Sequence, residues 1–433
     1  MFCALIWVPQ MGRAQGSAKT RLLTVDMADL SGASYAINSQ KAIANSLWKT
    51  NKEMLHGGDF NKAINDERAL VETISTIGSK EKTTDNVAAV LTNANLPTDF
   101  FRSYVDGGEW NTAGNWQFSP DNGITAWEIA TLVPGVNADG IVIRNGYNII
   151  SSGTVTADDI TIEPGAALTI NGGVFTLNDG AAIEDLLVDG NLTWSDGTFI
   201  TTGTGVSFEA TATYTHAIFF AGEIPAATWN PASACIVTGM TNSSTAPTGL
   251  NQLFGNFTWN CNQTNSADRF LINNNLFGVA GTLTINQTGA AYFAIMGATT
   301  ASFTNTVNNI EVNSGTLLLN DYNTGGGYAT LNVTGYIKVA DVTTARLDFA
   351  GAAGNSAGSA YVATLNLAGD LTVGANAYFS RSNAAVNTNS ALFFNGTAGT
   401  QMVNIGYGNS TSRGRIIYYV NAGAVVQLKN YLW

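Results

Sequence analysis

Gly354-Asn-Ser356-Ala-Gly358 has the spacing of a nucleophile elbow, in which a strained strand-to-helix turn presents a serine to a histidine base. Its surroundings, "FAGAAGNSAGSAY", read instead as a small-residue loop, and His56 and His216 are the only histidines. His216 lies in "ATYTHAIFF" and alternates with Tyr214 and Ile218, the setting of a core or turn-facing ring with its hydrogen bonds met. Cleavage of a sugar chain needs clustered carboxylates, often with calcium. Asp158 and Asp159 are adjacent, so a strand would send them to opposite sides. Asp121, Asp179, Asp189 and Asp196 each neighbour Gly or Asn and fit turns, while Glu209, Glu223 and Glu311 stand alone. An eliminating lyase also wants a lysine or arginine base, and the only lysines after residue 100 are Lys338 and Lys429. Neither a phosphate-binding loop nor a calcium nonapeptide is present. The expectation is no catalytic residue, no cofactor and no metal ligand.

The cysteines offer different chemistry. "MFCALIWVPQMGRAQ" carries a short apolar run and then a small-x-small pattern, as a signal peptide does, although a basic leading region is missing. Residues 1–15 are therefore expected to be a signal peptide, incomplete at its start, and Cys3 would leave with it. Cys235 and Cys261 remain, in no metal-binding spacing. Their separation equals that of Ile160 and Leu186, which begin two copies of one motif. Equivalent positions one repeat apart would be about 4.8 Å from each other, within disulfide reach, and export favours oxidation. A Cys235–Cys261 bridge is expected.

The element that would position these residues is a repeat. Leu186-x-Val188-x-Gly190-x-Leu192-x-Trp194 returns as Leu331-x-Val333-x-Gly335-x-Ile337-x-Val339, and again as Leu365-x-Leu367-x-Gly369-x-Leu371-x-Val373. Looser copies begin at Ile160 and Ile310, the latter placed against Leu331. Period-two alternation buries one face of each strand, and the central glycine supplies a corner. A motif recurring every 21 to 34 residues suits a solenoid better than a sandwich. The fold expected is all-β, a single-stranded parallel β-helix over residues 140–433, with a β-sandwich as the alternative. At about 26 residues per coil the strand-rich region makes about 13 coils, a rod of roughly 60 Å. Asn171, Asn178, Asn313 and Asn320 could stack as turn ladders.

A solenoid's ends expose strand edges. "GGEWNTAGNWQ" puts Trp110 and Trp116 in turn-rich sequence just ahead of the first strand pattern, with Trp127 following. Residues 101–139 are read as an aromatic N-terminal cap in which these three indoles seal the first coil, each N–H meeting a turn carbonyl. A sugar-stacking platform is the competing use. Residues 16–100 differ in texture: "NSQKAIANSLWKTNKEMLHGG" and "DFNKAINDERALVETISTIGS" read as two short helices in a linker or a partly disordered preface.

Only 12% of the 433 residues are charged, and the formal net charge is −12. Residues 1–100 hold equal numbers of acids and bases, so the strand-rich part carries the whole imbalance. Duplex nucleic acid would be repelled, and no basic stripe opposes that. No segment approaches the run of about 18 apolar residues that a membrane helix needs.

"FRSYVDGGEWNTAGNWQFSPDNGITAWEIATLVPGVNADGIVIRNGYNI" followed by "ITIEPGAALTINGG" resembles the first part of large secreted β-helix proteins of Bacteroidetes, adhesin-like surface proteins. "ATWNPASACIVTGM" and "FGNFTWNC" are similar to a later segment of the same group. The resemblance implies export, with display on or release from the cell surface. Such proteins commonly carry a C-terminal sorting domain for type IX secretion, which this chain does not show. "AVVQLKNYLW" stops in an apolar strand pattern, so the chain is expected to be truncated there and to self-associate end to end. The leading function is a non-catalytic structural or adhesive rod meeting an extracellular polysaccharide or a host or cell-surface ligand. The alternative is a carbohydrate-active β-helix, either a polysaccharide-binding module or a lyase or hydrolase. Tyr322, Tyr328 and Tyr378 would then stack on sugar rings.

Overall fold

Apolar side chains recur at every second residue through most of the chain after Phe101, so each strand has one face to bury. The computed structural model describes residues 2–7, 20–25 and 96–433, apart from 125, 181–183, 204, 220–221, 242–244, 266–268, 274–276, 298–300, 322–326, 351–360, 382–388, 407–415 and 430–433. The chain divides into two compact units, Met1–Asn93 and Ala94–Trp433. In the first, Phe2–Trp7 pairs antiparallel with Thr20–Val25, from Phe2 opposite Val25 to Trp7 opposite Thr20. The run read as signal-peptide core is thus a strand here, and so is a stretch of the linker ahead of the two expected helices. Alternating Leu, Thr and Val in "TRLLTV" satisfy the pleat. The two expected helices lie outside the described residues.

The second unit is all-β, and its long sheets are parallel. One inward row runs Ile149, Leu168, Leu192, Tyr214, Cys235, Phe257, Leu283, Ile310, Ile337, Leu371 and Val403, each in register with the next. Two residues further on, a second row runs from Ser151 and Ile170 through Trp194, His216, Val237, Trp259 and Ile285 to Val312, Val339, Val373 and Ile405. Both rows are buried throughout and belong to one continuous apolar core that reaches from Phe101 to Ile416. A separate parallel sheet carries Ile141, Ile160, Leu186 and Val206 in register, and a five-stranded one begins at Arg269–Leu271. Register stacking and the turns between strands together bring aromatic neighbours into chains. Phe208 stacks on Trp229 at 4.1 Å, Trp229 meets Phe254 at 5.1 Å, and Phe254 meets Phe257 at 5.0 Å.

The repeat motif pairs as read at Ile160 with Leu186, Leu331 with Leu365, and Ile337 with Leu371. It does not at Ile310, which lies opposite Ile337, while Leu331 lies opposite Asn305. Phe303–Val312 is one long strand holding both halves of the motif, with Asn308-Asn309 where other copies have a glycine corner, so its second half had been aligned to a first half. The corner glycine is a matter of space. A Cβ on Gly369 would stand 2.4 Å from the Gly335 carbonyl oxygen, and one on Gly190 equally close to those of Glu163 and Ala166.

At its N-terminal side the unit changes pairing. Phe100–Ser103 runs parallel to Gly140–Ile143 but antiparallel to Trp116–Ser119, which pairs antiparallel with Glu128–Ile129. A meander therefore occupies the edge of the first parallel sheet.

Candidate functional site

The indoles of that meander take up their positions through local hydrogen bonds. Trp110 and Trp116 are fully buried and meet edge to face at 4.9 Å, and Trp110 packs on Phe175 at 5.4 Å. Trp110 Nε1 donates to the Pro134 carbonyl at 3.1 Å, and Trp116 Nε1 to the Trp110 carbonyl at 2.9 Å. Neither ring is open to a sugar. Trp127 departs from the expected seal: it is half-buried, and the Arg102 guanidinium lies over its ring at 4.2 Å. Gly123 packs against its edge, which leaves the ring at the surface rather than in the core.

The expected disulfide is absent. Cys235 stands opposite Phe257, and Cys261 lies four residues beyond Phe257 on the same strand, about 13 Å along at the rise of an extended chain. That exceeds the Cα separation a bridge accepts. Equal spacing in sequence misled because turn lengths vary from repeat to repeat. Both thiols are free and buried, and burial raises their pKa, that of Cys261 to about 12. Consequently both cysteines should resist alkylation in the native protein at pH 8 and react on unfolding, with no change in melting temperature on adding a reductant. Prompt labelling of either native thiol would contradict their burial.

The remaining chemistry-bearing residues do not gather. His216 is buried, with its Nδ1 3.0 Å from the Tyr214 hydroxyl and its ring edge-on to Trp194 at 5.2 Å. Ser356 and its glycines, His56 and Tyr322 lie outside the described residues. Asn313 stacks by donating its Nδ2 to Asn286 Oδ1 at 2.9 Å, and Asn366 does the same to Asn332 at 2.8 Å. Among the described residues no three His, Cys, Asp or Glu are grouped so as to hold a metal ion.

Carboxylates come together at one place that adjacency in sequence did not suggest. Asp158 and Asp185, each just ahead of one of two paired strands, Ile160–Ile162 and Leu186–Val188, are both buried and joined by a side-chain hydrogen bond, with Asp179 nearby. Burial chiefly raises the Asp158 pKa, the charges of Asp185 and Asp179 add to it, and the Asp159 N–H at 2.9 Å opposes. A carboxyl whose folded pKa is raised contributes stability below the ordinary carboxylate range of about 4. That contribution is lost as pH rises through the folded value. Asp158→Asn keeps the neutral form, so it should melt above the parent at pH 7, with the gap closing below pH 4. An equal gap at both pH values would show that the carboxyl's ionisation is not what costs stability.

The outward side of the long sheet is the most extensive surface. Opposite-facing neighbours of the core rows line up as Ile150, Thr169, Thr193, Thr215, Ile236, Thr258, Thr284, Glu311, Lys338, Thr372 and Asn404. Seven neutral residues precede the first charge, and Glu311 and Lys338 are direct cross-strand partners of opposite sign. Tyr336 donates its hydroxyl to Glu311 Oε1 at 2.8 Å, and this bond is the main reason its pKa is raised. A shallow hollow of about 480 Å³ beside this face is lined by Leu253, Phe277, Thr304, Thr306, Asn308 and Thr334. Further along, Phe393 and Tyr419 stack outward at 4.6 Å; the Arg346 guanidinium, over Tyr378 at 4.5 Å, belongs to the five-stranded sheet and not to this face. Such a face can bind by hydrogen bonding and ring contact. Among the described residues no helix is long and apolar enough to cross a membrane. No protein-family model matches this chain, nor does any curated protein or solved structure in the comparisons made.

Proposed function

We propose that residues 94–433 form a parallel β-helix that acts, once exported, as a non-catalytic structural or adhesive rod at the cell surface. The observation that carries this reading is the pair of inward rows held in register from Ile149 to Val403 beneath a mostly neutral outward row. Repeated stacking of one strand per repeat is how a solenoid buries its apolar face, and it multiplies identical surface positions instead of building one concave site. Export and the Bacteroidetes surface proteins enter through the resemblance of the first strands. The outward Phe393–Tyr419 stack and the exposed Tyr328 favour a second reading, a polysaccharide-binding module of the same fold. Expression of the whole chain with fractionation, followed by adhesion of bacteria displaying it to immobilised polysaccharides, tests both. Recovery outside the cytoplasm with adhesion above an empty-display control supports them. Retention in the cytoplasm, or turnover of a polysaccharide by the purified protein, overturns the proposal.

A further inference from the structure

Two arginines that sequence reading passed over lie together at the N-terminal side of the first sheet. Arg102 is in register with Val142, and Arg144 is two residues beyond Val142, directly after the strand ends at Ile143. Phe101, Ser103, Ile141 and Ile143 are buried, so Arg102 and Arg144 both leave on the outward face as diagonal neighbours. Each guanidinium lies over an aromatic ring, Arg102 on Trp127 at 4.2 Å and Arg144 on Tyr147 at 4.7 Å. Their hydrogen-bond acceptors are neutral: Arg102 Nε donates to Gln117 Oε1 at 2.9 Å, and Arg144 Nε to the Ser103 carbonyl at 2.9 Å. Three carboxylates around these strands have neutral hydrogen-bond donors. Glu163 accepts from the Asn145 N–H at 2.9 Å, Asp106 from the Asn148 N–H at 2.8 Å, and Glu109 from the Ser152 hydroxyl at 2.8 Å. After burial, the charge of Arg144 is the chief cause lowering the Arg102 pKa. Two like charges are thus held side by side in a chain whose net charge is −12.

We propose that Arg102 and Arg144, with Trp127 and Tyr147 beside them, form a docking surface for an acidic polysaccharide. The guanidinium N–H groups not used on Gln117 and Ser103 suit the carboxylates of uronic-acid sugars, and the rings beneath the guanidiniums hold them in place. The overall negative charge disfavours nucleic acid, whose dense phosphates would be repelled over the rest of the surface. A uronate chain carries fewer charges per unit length and can meet two arginines without bringing a dense polyanion against the acidic remainder. This inference deepens the adhesive reading and rests on it for where the ligand is encountered.

Calorimetric titration of the full chain with a galacturonic-acid tetrasaccharide, and with the neutral galactose tetrasaccharide, tests it. The acidic tetrasaccharide should bind at least tenfold more tightly, and added salt should weaken it. Arg102→Gln with Arg144→Gln should lower that affinity at least tenfold, and Trp127→Ala should lower it by a smaller factor. Arg346→Gln, which removes a guanidinium from Tyr378 elsewhere, should leave it unchanged, as should its melting temperature if the fold is intact. Absence of acidic-sugar binding, equal binding by the double variant, or tighter binding of a single-stranded oligonucleotide or of vesicles rich in anionic lipid overturns the proposal. Adhesion that persists in the double variant while the tetrasaccharide fails to bind removes this site and leaves the rod. Loss of export with tetrasaccharide binding intact does the reverse.

Discussion

Trp116→Ala is expected to cost about 3–5 kcal/mol and to unravel the first strands of the second unit. The ring is fully buried, meets Trp110 edge to face, and ties the Trp110 carbonyl through its N–H at 2.9 Å. Its removal leaves a cavity and an unpaired carbonyl together, and Trp110 loses the neighbour that holds it over Phe175. Because a stacked array couples each repeat mainly to its neighbours, the damage should stay near the end. Hydrogen exchange should quicken across residues 100–157 and remain slow around Leu283 and Ile310. Uniform loss of protection along the unit would mean that the meander is no independent seal. Trp116→Phe should recover part of the packing but not the hydrogen bond.

Trp259→Ala should cost a similar ~3–5 kcal/mol, with a different signature. This indole is fully buried in the middle of the inward rows, 4.5 Å from Phe270 and 5.1 Å from Phe293. Its Nε1 has no hydrogen-bond partner. Trp259→Phe therefore discards a buried, unsatisfied donor along with some volume, and should cost markedly less than the same change at Trp116. Melting curves of the four variants check the ordering. A larger penalty for phenylalanine at 259 than at 116 would refute the argument from hydrogen-bond partners. The alanine variant should also loosen protection on both flanks of residue 259.

Strand content and the rows themselves were readable because period-two alternation survives at Leu365, Leu367, Leu371 and Val373 without reference to anything distant. Register was harder. It depends on how many residues each turn consumes, and that number changes between repeats, so Cys261 falls four residues past the partner of Cys235 and Ile310 pairs with the second half of the next motif instead of the first. His216 was legible as a core ring because its neighbours alternate with it. The Arg102–Arg144 pair was not, since the two lie far apart in sequence and only the parallel pairing of their strands sets them on one diagonal. Trp127 was misjudged for a related reason. Its composition is that of the buried indoles, and only the partner above it, a guanidinium, shows that it faces outward.

The sheets do not all run the length of the second unit. The first ends at Thr228–Trp229, and the five-stranded one starts only at Arg269–Leu271. Between those repeats, strand pairing among the described residues rests on Ala234–Val237 against Asn256–Trp259 and an isolated bridge from Glu223 to Thr248. A tensile load carried from strand to strand passes through each such joint in series, so the thinnest joint limits the whole. There the contact of Trp229 with Phe254 at 5.1 Å is joined by the Gln252 side chain, which accepts from Trp229 Nε1 at 2.8 Å and from the Ala227 N–H at 3.1 Å and donates to the Pro225 carbonyl at 3.2 Å. Ring packing has no directional ladder to unzip and gives way once it slips. Under a pulling force this joint is where the second unit should part first, once the Gln252 hydrogen bonds that brace the two rings have broken.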